Sequence, residues 1–371
     1  MKKAVTPKII KKLLIALSAI VIVSLVGVAV LTYVVDPFFH YHSPLPDFPY
    51  VVDNQVNMNP GLAEHMEYDS VILGSSMTVN FETDWFKELM GLNTLKLSTS
   101  GAYPRDISNL LSKVYEPKSD GSVRNITHAF IGIDPMMYSS SVDTTKYPVP
   151  TYLYDDNPIN DLEYLINKDV LLNYIIKPVA DPEPLNWSHI YASWFPEENY
   201  NEEYVLSMHP MIKEKNPEKM PADNFEKPIR ENLRANIIPY VEAHPETQFV
   251  MFFPPYSILF WNDAIMENHL EATIESYVTI VDEMEKYDNV SFFFFPDDAE
   301  VVCDLNNYAD YTHYHPRINR MITECIASGR RRVACGKYSD GLTIREYTDS
   351  LRKMIAEYDF DELQNKLLQY N

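Results

Sequence analysis

The chain reads as an α/β protein: a doubly wound, five-stranded parallel sheet, with a transmembrane helix ahead of it and an insertion after the third strand. Three observations predict this. One uncharged apolar stretch, Leu13 to Val35, is longer than the roughly 20 residues that cross a bilayer core as a helix. Five short apolar runs follow it, four of them near-continuous rather than alternating, the pattern of parallel strands covered on both faces. Segments with helical spacing of apolar residues separate those runs, and alternation of this kind builds right-handed crossovers.

The anchor comes first. Lys2, Lys3, Lys8, Lys11 and Lys12 precede it without an acid, which predicts a cytoplasmic N-terminus (1–12) and a chain exported from Asp36 onward. A cleaved signal peptide would have an apolar region of only about 7–15 residues and a small-residue exit. Here Tyr33, Val34 and Val35 run on to Asp36-Pro37, so the span 13–35 is expected to be retained. Residues 36–66, rich in proline and aromatics without a period, read as a stalk.

The main domain is expected over 67–335, with strands at Ser70–Leu73, Thr94–Leu97, Ala129–Ile133, Phe249–Phe253 and Val290–Phe295. Ile274, Tyr277, Val278 and Val281 give the segment 263–286 one apolar face. Ile229, Leu233, Ile237 and Val241 do the same for a second helix, which Pro239 should kink or end. The periodicity lapses over 140–222, the insertion, whose aromatics (Tyr152, Tyr154, Trp187, Trp194) suit a wall facing a substrate or packing on the core. Helical spacing resumes in a C-terminal extension, 336–371, through Ile344, Leu351 and Ile355.

The net charge of −22 disfavours nucleic acid and anionic polymers held by charge alone. Cys303, Cys325 and Cys335 form no CxxC pair; Cys325 and Cys335 could bridge, but the odd count leaves a free thiol and the fold is not expected to depend on disulfides. Asn125-Ile126-Thr127 matches a glycosylation sequon, a pattern frequent by chance. No cofactor motif is present.

Ligands of open parallel sheets bind beyond the carboxyl ends of the strands. There the chain places Gly74-Ser75-Ser76-Met77, Ser98-Thr99-Ser100-Gly101, Asp134, Pro254-Pro255-Tyr256-Ser257 and, past the last strand, Asp310-Tyr311-Thr312-His313. A serine needs a base to become a nucleophile, and the base needs a carboxylate to orient it. Asp310 and His313, three apart, can supply both to Ser76, while the backbone N–H groups of Ser76 and Gly101 can meet an oxyanion. His313, His315 and Asp310 also allow a metal reading, which lacks a further His or Cys cluster.

With those blocks in view, the sequence resembles the SGNH, or GDSL-like, hydrolase superfamily over roughly 67–330, and more closely its membrane-anchored bacterial members that act on the cell envelope. The resemblance implies a flavodoxin-like sheet and makes Ser76, rather than Ser75, the nucleophile, with Asp310 and His313 completing a triad. It implies an oxyanion hole at Ser76 and Gly101, and no cofactor or metal. One block departs: where many members carry Gly-x-Asn-Asp, this chain has Gly132-Ile133-Asp134-Pro135, so either backbone and another side chain, Asn80 or Tyr138, supply the donor usually given by asparagine, or the site turns over poorly.

The function expected is a membrane-anchored, extracytoplasmic serine esterase or acyltransferase acting on O-acyl groups of envelope polysaccharides. The alternative is a catalytically weak member that binds glycan or acts as a scaffold, for which Asp134 is the argument.

Overall fold

The computed structural model describes residues 7–118, 121–155, 157–192 and 195–370. Lys2 and Lys3 of the basic flank and Trp194 of the aromatic segment lie outside them.

In chain order the elements begin with α1 (Pro7–Val35), α2 (Gln55–His65), β1 (Ser70–Gly74), α3 (Thr83–Met90), β2 (Thr94–Ser98), α4 (Pro104–Tyr115) and β3 (His128–Gly132). A stretch of short helices follows: α5 (Leu162–Leu165), a π-helical segment Val170–Ile176 that runs into α6 (Lys177–Ala180), α7 (Glu202–Met208), α8 (Glu226–Asn236) and α9 (Ile238–Ala243). The chain ends with β4 (Gln248–Phe253), α10 (Ile258–Met266), α11 (Leu270–Met284), β5 (Val290–Phe294), α12 (Ala299–Val302), α13 (Pro316–Ser328), α14 (Ile344–Glu357) and α15 (Phe360–Leu367). They divide into two compact units, Met1–Met66 with Pro150–Leu185, and Glu67–Val149 with Asn186–Asn371.

The larger unit holds one five-stranded sheet in the order β2-β1-β3-β4-β5, every neighbouring pair parallel, as the apolar runs predict. Successive strand residues point to opposite faces, and the aromatics show that both faces are covered. Phe252 meets Phe81, on the side where Phe86 of α3 meets Phe130. Phe253 and Phe294 meet Tyr277 of α11 on the other. The first layer is α3 packed on α13; in the second, α4, α8, α11 and α14 pack in succession. The phenylalanines of β4 and β5 are core, as read from their continuity.

Three helical expectations are refined. The segment 263–286 is two helices, α10 and α11, because Asn268 takes a left-handed φ of 62° between them. The 229–241 pattern breaks at Ile237, and α9 restarts with Pro239 in its first turn, where a missing N–H costs nothing. The C-terminal extension is a pair; Arg352 of α14 binds Glu271 and Glu275 of α11, and Tyr347 packs on Phe294. All three cysteines are free thiols, Cys325 buried, so the Cys325–Cys335 bridge does not form.

In the smaller unit α1 is long and apolar enough to cross a membrane, with a mean hydropathy of 3.0 in its most apolar window. Residues 36–66, read as a stalk, contain α2 and group with 150–185. Asp36 is one tie between them: it ends α1 with φ 48°, and its carboxylate accepts from the N–H groups of His40, Tyr41 and His42 and the hydroxyl of Tyr164.

Candidate active site

Order 2-1-3-4-5 reverses direction between β1 and β3, and the crevice beyond the carboxyl ends at such a switch point is where open sheets bind ligands. Ser75 and Ser76 follow β1 there and Asp134 follows β3.

The turn after β1 is narrow because of one glycine. Gly74 has φ 149°, and a Cβ there would lie 2.6 Å from Thr78 Cγ2 and 3.1 Å from the Gly132 carbonyl oxygen. The chain then makes a single 3-10 turn, Ser76–Thr78, capped by Ser75, whose Oγ accepts from Met77 N at 3.2 Å. Thr78 Oγ1 donates to Ser98 Oγ at 2.7 Å, tying the turn to the end of β2.

Beyond it the backbone is held from inside the core. Lys96 of β2 is fully buried and donates from Nζ to the carbonyls of Val79 at 2.8 Å and Phe81 at 2.7 Å. Burial lowers its pKa to about 7, only partly offset by Glu82. A neutral amine still carries the donors both carbonyls need.

The last loop closes on itself and on its neighbours. Ala309 N donates to the His313 carbonyl and His315 N to that of Asn307, a small hairpin around 310–313. Ser257, after β4, donates from Oγ to the Tyr311 carbonyl at 2.7 Å. Tyr314 and Asn319 both donate to the carbonyl of Met77, next to Ser76.

This framework brings together three of the predicted residues. Asp310 Oδ1 accepts from the backbone N–H of Thr312 and His313, and Oδ2 lies 2.6 Å from His313 Nδ1. His313 Nε2 lies 2.8 Å from Ser76 Oγ. With the proton on Nδ1, the imidazole donates to Asp310 and its other nitrogen accepts from the Ser76 hydroxyl. Burial pushes the Asp310 carboxyl up, but the His313 hydrogen bond and charge and the two backbone donors overcome it, bringing it down to about 2. The carboxylate is ionised across the neutral range. His313 and Asp310 keep side-chain exposures of 24% and 30%, so the pair sits at a rim open to a ligand.

Ser75 has a different neighbour. Its hydroxyl and that of Tyr256 both bond to Asp134, a buried carboxylate whose pKa burial raises while the two hydroxyls and His313 pull it back. Burial, then the Asp134 charge, keeps the hydroxyls of Tyr138, Tyr256, Tyr277 and Tyr314 protonated. Asp134 therefore acts as an acceptor beneath the Ser75-Ser76 turn. Tyr138, considered as an oxyanion donor, is 1% exposed, and its hydroxyl has no hydrogen-bond partner.

Gly101 and Asn80 stand on the loops after β2 and β1. Gly101 needs its glycine, with φ 72° and Lys146 Cε 2.9 Å from where a Cβ would be. Asn80 is half-buried, and its Oδ1 has no hydrogen-bond partner.

His315, the second histidine of the metal reading, is engaged elsewhere: Nε2 lies 2.8 Å from Glu197, and Nδ1 accepts from Arg317 N to cap α13. Among the described residues no group of three or more His, Cys, Asp or Glu could hold a metal ion. Phe195, absent from the sequence reading, tilts against His313 with ring centroids 5.8 Å apart, and Tyr200 packs on His315 at 4.7 Å. These rings belong to the aromatic-rich stretch, and their density there was the signal. A separate cleft of about 260 Å³ lies at the amino-terminal edge of the sheet, lined by His128, Gln248, Phe293 and Arg332, away from the triad.

No family model and no curated protein matches the chain.

Proposed function

We propose that this chain is a serine esterase or acyltransferase of the SGNH type, with Ser76 as nucleophile, His313 as general base and acid, and Asp310 as the carboxylate that orients His313. The observation that carries this reading is the continuous hydrogen-bonded chain Asp310–His313–Ser76, at 2.6 and 2.8 Å, at the switch point of a parallel sheet.

In the first half-reaction Ser76 Oγ attacks an acyl carbonyl and its proton passes to His313 Nε2, giving an imidazolium beside the ionised Asp310. The tetrahedral oxyanion is met by the N–H groups of Ser76 and Gly101, with Asn80 as the side-chain donor in place of the asparagine that Asp134 replaces. Its amide requires the nitrogen to face the site. Collapse of the intermediate sends the proton from His313 to the leaving oxygen and leaves an acyl-Ser76. A water or an acceptor hydroxyl, deprotonated by His313, then takes the acyl group and restores the serine.

The place of action is part of the proposal. The five lysines ahead of the apolar run that starts at Leu13 favour a cytoplasmic N-terminus and a sheet unit outside, so the substrates within reach are O-acyl groups on envelope polysaccharides or related polymers. The test is turnover of p-nitrophenyl acetate and release or transfer of acetate from O-acetylated glycan by the full chain, with Ser76→Ala alongside. Turnover in the wild type that disappears in Ser76→Ala is the expected result. Equal, trace rates in two folded proteins, with glycan binding intact, would favour the binding or scaffold reading.

A further inference from the structure

The smaller unit carries an apolar surface that its own core does not use. The segment Val170–Ala180 forms one apolar helix, π-helical in its first part, and three of its large apolar side chains face outward: Leu172 is 50% exposed, Ile176 48% and Val179 60%. They recur at i, i+4 and i+7, one stripe of a helix. The residues just before add Ile159 at 80%, Leu162 at 56% and Ile166 at 40%. Single exposed apolar side chains are ordinary on a protein surface. Six such side chains fall between residues 159 and 179, three of them aligned on one helix, and apolar exposure concentrated in this way marks an interaction site.

The position of the patch identifies its occupant. Both α5 and the helix from Val170 pack against α1. The only buried residues of α1 are Thr32 and Val35, so that contact is at its last turns, where the chain leaves the span. Phe38, three residues past the helix, stacks on Tyr164 and meets Tyr174 edge-on, while Tyr33 tilts against Tyr41. Tyrosines gathered at the end of a span are characteristic of the membrane–water boundary. The helix Val170–Ala180 contains no acid, its one charge being the exposed Lys177, and it is far shorter than the roughly 20 residues a span requires. Glu163, Asp169 and Asp181 lie outside it.

We infer that Leu172, Ile176 and Val179 lie in the acyl–headgroup boundary of the same bilayer that α1 crosses, as a second, in-plane membrane contact. The inference rests on α1 spanning and not on the catalytic reading. Apolar faces of this kind enter the boundary by about 5–10 Å, and Lys177 can extend to the headgroups from among them. The contact fixes the exit of α1 from two directions, through the span and through the plane.

The experiment uses the full chain in lipid nanodiscs, with Cys303→Ser, Cys325→Ala and Cys335→Ser as background. A nitroxide is placed in turn at Leu172→Cys, Ile176→Cys and Val179→Cys, with Val21→Cys inside α1 and Val123→Cys on the exposed surface of the other unit as references. Collision with oxygen and with a water-soluble nickel chelate is compared at each site. The inference predicts oxygen-dominated collision at 172, 176 and 179, at a depth shallower than position 21, and chelate-dominated collision at 123. Chelate-dominated collision at all three with a lipid-like position 21 overturns it while leaving the anchor intact. Shielding from both reagents also overturns it, because a protein surface then covers the stripe. Water-like behaviour at 21 as well would remove the anchor and this inference together, and would leave the Ser76 chemistry untouched.

Discussion

His313 Nε2 meets Ser76 Oγ at 2.8 Å although 237 positions separate the two residues in sequence. The contact is made by two loops from opposite ends of the domain, and each is held by something other than the contact itself. Gly74, Thr78 and Lys96 hold the serine turn; Asp310, Ser257 and the 309–313 pairing hold the histidine loop. The cross-tie is Met77, whose carbonyl accepts from Tyr314 and Asn319.

Asp310→Asn keeps the size of the side chain but favours the wrong imidazole tautomer. In triads of this kind such a change lowers turnover by roughly 10⁴-fold, and the same loss is expected here with substrate affinity largely retained. The substitution also removes a pH-dependent contribution to stability. The folded carboxyl, at about 2, lies below its usual 3.8. Its stabilisation, on the order of 2 kcal/mol, is therefore complete above about pH 4 and fades as pH falls through 2. Urea titrations between pH 5 and 2 should show the wild type losing this increment and Asp310→Asn lacking it throughout.

Gly74→Ala should damage the site through the backbone. Positive φ costs a non-glycine residue on the order of 1–3 kcal/mol, and the new Cβ would press on Thr78 Cγ2. Adding Thr78→Ser removes that methyl while retaining the hydroxyl that reaches Ser98. Denaturation of both proteins should show partial recovery in the double variant. No recovery would mean that the φ strain accounts for the whole loss.

Lys96 makes a prediction with the same sign of slope as Asp310, in a higher pH window. Its folded pKa, about 7, lies below the 10.5 of an unfolded lysine, so between these values the unfolded chain binds more protons. Stability should rise from pH 7 to pH 9 by about 2 kcal/mol from this group alone. The penalty is fully present below pH 7. Lys96→Met should lose that rise, and a parallel pH dependence in the two proteins would show that the lysine titrates as if in water.

The sheet was legible because its strands are continuous apolar runs, and the order of the blocks placed serine, aspartate and histidine on loops at one edge. Lys96 was not legible: a lysine within Thr94-Leu95-Lys96-Leu97 looks like an alternation, and its burial depends on carbonyls of a loop some fifteen residues away. Asp134 was noticed for the donor it cannot be, whereas its hydrogen bonds to Ser75 and Tyr256 depend on how β1, β3 and β4 lie side by side. The start of the 36–66 stretch was not legible because a carboxylate, Asp36, holds the turn at residues 40–42 through backbone N–H groups that composition does not reveal.

Ser75 and Ser76 should separate cleanly. Ser75→Ala removes the cap of the 3-10 turn and the bond to Asp134, a loss of about 1–2 kcal/mol in stability, while the Ser76–His313 contact remains.

The most direct measurement of the central claim is mass-spectrometric mapping of a fluorophosphonate adduct on the full chain, with Ser75→Ala, Ser76→Ala and His313→Ala compared. The expected result is one adduct on Ser76, retained in Ser75→Ala and absent from Ser76→Ala and His313→Ala. An unlabelled wild type whose fold is intact, or an adduct on another serine, would contradict it.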